Sequence, residues 1–125
     1  MTAVTHGARA FDPAAAARIL NDRPRPSTTL PVAPWAAAYG FTAGRPGCTI
    51  AGPLEPGPGF DPARAMTADL SRPLIIATVP VIGALIIDGA DRLYQAHRRG
   101  LGILPALVLT EAETRAITSP ARTRP

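Results

Sequence analysis

The stretch Leu85-Ile86-Ile87-Asp88-Gly89-Ala90-Asp91-Arg92-Leu93-Tyr94-Gln95-Ala96 decides how the rest of the chain is read. Its first residues are continuously apolar, as in a buried strand, and after Asp88-Gly89 the apolar positions recur at helical spacing. A strand therefore runs into a helix N-terminus, whose first backbone N–H groups have no intrahelical partner and whose dipole end is positive. Such a turn suits an anion.

Working outward, Gly89 to Arg99 is expected to be a helix with Ala90, Leu93, Tyr94 and His97 as its inner stripe. Arg98 and Arg99 suit its negative end, and Gly100 its left-handed stop. Upstream, Leu74 to Val79 and Ala84 to Ile87 are rich in β-branched residues, and Pro80-Val81-Ile82-Gly83 between them reads as a hairpin bend. Their unbroken apolarity predicts burial on both faces. Ile103 to Leu109 follows as a third strand, and Thr110-Glu111-Ala112-Glu113 is a capping box opening a short helix towards Ile117. The order strand, strand, helix, strand, helix defines an α+β unit, a short mixed sheet with helices packed on one face.

The N-terminal half is thinner in signal. Met1 to Ala10 reads as a loose arm. Asp12-Pro13 opens a helix with Asp12 as N-cap, and its apolar face is only Phe11, Ala15, Ile19 and Leu20. Arg23-Pro24-Arg25-Pro26-Ser27 is extended linker, because a residue before proline is pushed out of the helical region. A short strand at Thr28 to Val32 leads to a helix from Pro34 to a Gly40 stop, with Trp35 as a core anchor. Residues 42 to 62 are a Gly/Pro-rich excursion from which no core can be built, and Asp61-Pro62 repeats the helix-opening device of residues 12 and 13. The organisation expected is an arm with one helix (1–27), a domain (28–117) and a frayed tail (118–125).

Composition narrows the function classes. The chain has 125 residues with 15 prolines and 11 glycines, so its packed part is smaller than its length. All 13 basic residues are Arg, set against 9 acidic residues for a net charge of +4. They are scattered, which makes only a weak case for nucleic acid. The single Cys48 excludes an intramolecular disulfide and a cysteine metal cage, and fits a reducing cytoplasm. No secretory signal is read at the N-terminus, and the uncharged run Pro73 to Ile87 is broken by Pro80 and Gly83 and falls short of the ~20 residues of a membrane span. There is no Ser-His-Asp set, no phosphate-cradling Gly-x-x-x-x-Gly-Lys loop, no metal-spaced His/Cys cluster and no helix-turn-helix signature.

The apolar hairpin, the turn Ile87-Asp88-Gly89-Ala90-Asp91-Arg92-Leu93-Tyr94-Gln95-Ala96 ending at Gly100, and the following strand with Pro105 together resemble the ParB/sulfiredoxin superfamily over residues 73 to 109. Those domains place a G-x-x-R turn at the mouth of a helix. In relatives the turn holds a nucleotide phosphate, as in CTP-binding partition proteins, ATP-using sulfiredoxins and free-serine kinases. The resemblance implies that Gly89 and Arg92 meet a phosphate through backbone and guanidinium.

This chain also departs from the pattern. Ala90 stands where sulfiredoxins carry their nucleophilic Cys and partition proteins an acid needed for turnover, and Asp91 stands where a cation is usual. A carboxylate ~5 Å from a phosphate is repulsive by about a kcal/mol or more at partly buried dielectric.

Bland and functional readings stand side by side at each residue. Asp88 and Asp91 are either a metal-binding or acid/base pair, or an N-cap and a first-turn carboxylate that stabilise the dipole. Arg92 either grips phosphate or pairs with Asp88 or Asp91. Tyr94 and His97 share a helix face, to stack on a base and shuttle a proton or simply to fill the gap to the sheet.

The expected function is a cytoplasmic module binding a nucleotide or other phosphorylated ligand through Gly89, Ala90, Arg92 and Asp88, with Asp91, Tyr94 and His97 as accessories and no catalytic or metal-ligating set of its own. The sequence does not identify the ligand; a nucleoside triphosphate with Mg²⁺ is one candidate. The alternative is a degenerate interaction domain that pairs with a partner or as a homodimer through an exposed sheet edge or the Trp35 helix. A kinase or nuclease of the same fold ranks last, because the acid after the glycine is missing.

Overall fold

The computed structural model describes residues 4–6, 9–41, 61–80 and 83–120. In chain order the elements are β1 (Val4–His6), β2 (Arg9–Phe11), α1 (Pro13–Asp22), β3 (Thr28–Pro31), α2 (Val32–Ala38), α3 (Pro62–Ala65), β4 (Leu74–Val79), β5 (Gly83–Asp88), α4 (Ala90–Arg98), β6 (Ile103–Val108), α5 (Glu111–Ala116) and β7 (Thr118–Pro120). The fold is α+β. Its frame is a four-stranded mixed sheet in the order β3-β6-β4-β5, in which β4 and β6 run parallel and the other neighbours antiparallel.

Caps written in the sequence set most helix starts. The Asp12 carboxylate accepts the amides of Ala14 and Ala15, Asp61 accepts that of Ala63, and Thr110 and Glu113 complete the reciprocal capping box of α5. Gly40 and Gly100 take the positive φ that ends α2 and α4.

Alternation along β4 explains the packing. Leu74 and Ile76 join Leu30, Tyr39, Ile86, Leu93 and Leu104 in one core, under α2 and α4. Ile75, Ala77 and Val79 join Phe11, Leu85, Ile87, Leu109 and Ile117 in a second core, beneath α1 and α5. Successive residues of one strand thus fill two cores. Helices therefore cover the sheet on both faces, rather than on the one expected. The thin apolar face of α1 suffices because Phe11 and Ala16 are buried there and Ala15, Ile19 and Leu20 lie against the same core.

The two chain ends also differ from expectation. Part of the supposed loose arm forms β1 and β2, and the start of the supposed frayed tail forms β7, which pairs antiparallel with β2. These three-residue strands have no periodicity of their own, and non-local pairing creates them. The expected Gly/Pro excursion lies outside the described residues up to position 60, as do Cys48 and residues 121–125. Among the described residues no helix is long and apolar enough to cross a membrane.

Candidate functional site

The Gly89 turn sits where β5 hands over to α4. Opposite the end of β5, the β4–β5 register slips between Ile75 and Ile76, which pair with Asp88 and Ile86, so Ile87 is an extra, bulged residue. A bulge bends its strand and re-aims the side chains beside it. Here the next residue is Asp88, whose carboxylate meets Arg92 on the first turn of α4.

Gly89 is the N-cap of α4, with φ 118°. Asp88 is not the cap, contrary to one reading of the sequence, and among the described residues no side chain caps the helix. The Asp88 Oδ2 instead lies 3.4 Å from Arg92 Nη2, a long single contact rather than a two-pronged carboxylate–guanidinium pair. Arg92 is only 6 % exposed, and its buried Nε has no hydrogen-bond partner among the described residues. Its guanidinium folds back over Gly89: a Cβ added there would stand 2.8 Å from Arg92 Nη2, 3.1 Å from its Nε and 2.6 Å from Leu74 Cγ. The glycine is therefore required twice, by its backbone conformation and by the arginine lying against it.

The inner stripe of α4 is also corrected. Its buried residues are Arg92, Leu93, Gln95 and Ala96, whereas Ala90, Tyr94 and His97 are half-buried. The buried face differs from the expected one because Gln95 is drawn to carbonyls of the α3 segment and Arg92 folds back against Gly89. Tyr94 packs its ring edge-on against Phe41 with centroids 5.2 Å apart, which places it at the core rim. Asp91 lies in the first helical turn, where it favours the positive dipole end.

The structure thus brings Asp88, Gly89, Ala90, Asp91 and Arg92 together at one turn, with Tyr94 and His97 further along the helix. Gln95 was missed by sequence reasoning. Its Nε2 donates to the carbonyls of Ala65 (3.1 Å) and Ala68 (2.8 Å), and its Oε1 accepts from Arg99 Nε at 2.8 Å. No sequence signal marks a glutamine that serves carbonyls nearly thirty residues upstream.

A separate cleft of about 370 Å³ opens between α1 and α5, lined by Ile19, Asp22, Arg23, Ala112, Glu113 and Ala116. It belongs to the opposite face of the sheet from α4. Its buried carboxylate, Glu113, already accepts from Arg25 and the Thr110 amide and lies 3.6 Å from Arg23. Among the described residues no cluster of His, Cys, Asp and Glu could hold a metal ion.

Set against protein-family models, curated proteins and solved structures, the chain matches none of them.

Proposed function

We propose that the Gly89–Arg92 turn binds a nucleotide or another phosphorylated ligand, in the manner of a ParB/sulfiredoxin-like module with little or no catalytic turnover. The observation that carries this reading is the buried Arg92 guanidinium, whose Nε lacks a partner among the described residues, beside a start of α4 that none of their side chains caps. Burying a polar group without a hydrogen bond costs about 1–3 kcal/mol, more for a charge. A phosphate oxygen is the acceptor a guanidinium fork and free helix N–H groups would share. Gly89 and Ala90 would present backbone to it, Arg92 would supply charge, and Asp88 would either yield its contact with Arg92 or hold the Mg²⁺ that accompanies a nucleoside triphosphate. Ala90 stands where the resemblance would place the acid that follows the glycine, and Asp91 where it would place a cation, which favours binding over chemistry.

The test is a thermal-shift panel with CTP, ATP, GTP and their diphosphates, with and without Mg²⁺. A ligand at a hundred times its dissociation constant adds ~2.7 kcal/mol, a rise of roughly ten degrees for a domain of this size. The rise should vanish in Arg92→Lys, which keeps a cation but loses the fork. A flat panel on folded protein would end the proposal.

One observation favours the second reading, an interaction domain. Ile103 is 61 % exposed on β6, and it shares a sheet face with half-buried Pro105 and Leu107 beside exposed Pro31 of the edge strand β3. The Trp35 helix does not serve this reading, since Trp35 packs against the first core and stacks on Tyr39. Sedimentation showing a dimer that Ile103→Asp dissociates and that ignores nucleotides would favour interaction. A strict monomer would retire pairing of the chain with itself.

A further inference from the structure

Arg92 and Gln95 are one turn apart on α4 and share a face. The two hydrogen bonds from Gln95 Nε2 to Ala65 and Ala68 hold the segment Asp61–Arg72 along that face. The same segment carries Asp69, whose Oδ1 accepts the Ser71 hydroxyl at 2.6 Å and amide at 3.0 Å. Those bonds hold the Asp69 carboxyl below its usual range, and the fields of Arg72 and Arg92 add to the effect. Asp69 therefore stands within electrostatic reach of the Arg92 guanidinium.

The segment is weakly rooted. From Asp61 to Arg72 the only buried residue is Ala65, and Leu70 is half-buried against the first core. Its backbone hydrogen bonds are local: Ala65 to Asp61, Met66 to Ala63, Thr67 to Arg64, Ala68 to Ala65, and Arg72 to Asp69. Few apolar anchors and local bonding mark a unit that opens at low free energy, and Gln95 supplies its polar ties to α4. On the same face of α4, Arg92 Nε is shut off from solvent.

We propose that Asp61–Arg72 is a lid over the Arg92 guanidinium, latched by Gln95, and that a phosphorylated ligand binds only the unlatched form. The proposal rests on the reading of the Gly89 turn as a phosphate site. Apparent affinity is then reduced by the small fraction of unlatched molecules, so weakening the latch tightens binding.

The experiment pairs amide hydrogen exchange with calorimetric titration of inorganic pyrophosphate, on the full chain and on Gln95→Met, which keeps length but loses both donors. Lid amides in the full chain should exchange faster than those of β4 and β6. In Gln95→Met they should speed up about fivefold to tenfold with the sheet unaltered, and pyrophosphate should bind tighter by a similar factor. Lid amides that exchange only with the sheet would overturn the lid whatever the ligand does. Equal pyrophosphate affinity in both proteins would overturn gating. An open lid with no pyrophosphate binding in either protein would instead overturn the phosphate reading, and the lid's role with it.

Discussion

The Arg25 guanidinium grips both oxygens of the buried Glu113 carboxylate, at 2.5 Å to Oε1 and 2.7 Å to Oε2, across 88 residues of sequence. The same Oε1 accepts the Thr110 amide at 2.9 Å, and Arg25 also donates to the Val108 carbonyl at 3.1 Å. One carboxylate thus caps α5 and fastens the Pro-rich connection between α1 and β3 to the end of β6.

Glu113 should therefore carry much of the acid sensitivity of the fold. The hydrogen bonds from Arg25 hold its carboxyl down at about 2, against an ordinary 4.5. A depressed carboxylate contributes stability that is complete above pH 4.5 and is lost as the pH falls towards 2. Allowing for screening on the open side of the cluster, the contribution is on the order of 2 kcal/mol. Glu113→Gln should lose about that much at pH 7 and flatten the decline below pH 4.5. Urea titrations at pH 7, 4 and 3 measure both, and an unchanged acid slope would refute the assignment.

Tyr39 guards the free edge of the sheet. Its hydroxyl accepts the Ile86 amide at 3.0 Å and faces the Ile86 carbonyl at 3.5 Å, on the side of β5 turned away from β4. Burial pushes its ionisation up to about 12. Tyr39→Phe would strand a buried amide, at a cost of about 1–3 kcal/mol, and uncover an edge open to pairing with another chain. Chemical denaturation and light scattering on the variant check both effects.

Gly89 and Gly83 both have positive φ, yet they should respond differently to alanine. At Gly83 an added Cβ meets nothing within 4 Å, so only backbone strain of about 1–2 kcal/mol is expected. At Gly89 the same strain is joined by overlap with Leu74 Cγ at 2.6 Å, in a fully packed core. Gly89→Ala should cost about 2 kcal/mol more than Gly83→Ala. Equal midpoints for the two variants would show that the Leu74 contact relaxes freely.

What was legible in the chain was local. Asp12, Asp61 and Thr110 declare their helices because a cap is a contact within three residues, and the Leu74–Asp88 hairpin declares itself through β-branched runs around a Pro/Gly bend. Strands β1, β2 and β7 were hidden because each exists only through pairing between the two ends of the chain. At the site, the turn and its glycine were readable. The burial of Arg92 and Gln95 was not, since charged and amide side chains on a helix ordinarily face water; Gln95 is held inward by non-local carbonyls of the α3 segment, and Arg92 lies against Gly89.

Asp88 offers the sharpest test of what the turn recognises. Its carboxylate already occupies the Arg92 guanidinium, but through one contact of 3.4 Å from a side chain that is 34 % exposed. A phosphate oxygen reaching Arg92 must displace that contact and then lie beside an unpaired carboxylate. Asp88→Asn keeps the shape, removes the competitor and relieves the repulsion, worth about 1 kcal/mol at partly buried dielectric. Without Mg²⁺, pyrophosphate should therefore bind Asp88→Asn roughly fivefold tighter than the parent chain. The carboxylate's alternative role, as a ligand for Mg²⁺ on a nucleotide, predicts the reverse for MgATP or MgCTP. Parallel titrations in EDTA and in Mg²⁺ separate the two: tightening in EDTA marks Asp88 as an internal occupant of the site, and a loss confined to Mg²⁺ marks it as a metal ligand. Unchanged binding in both would mean that the ligand never meets the Asp88–Arg92 pair, and would direct the search away from this turn.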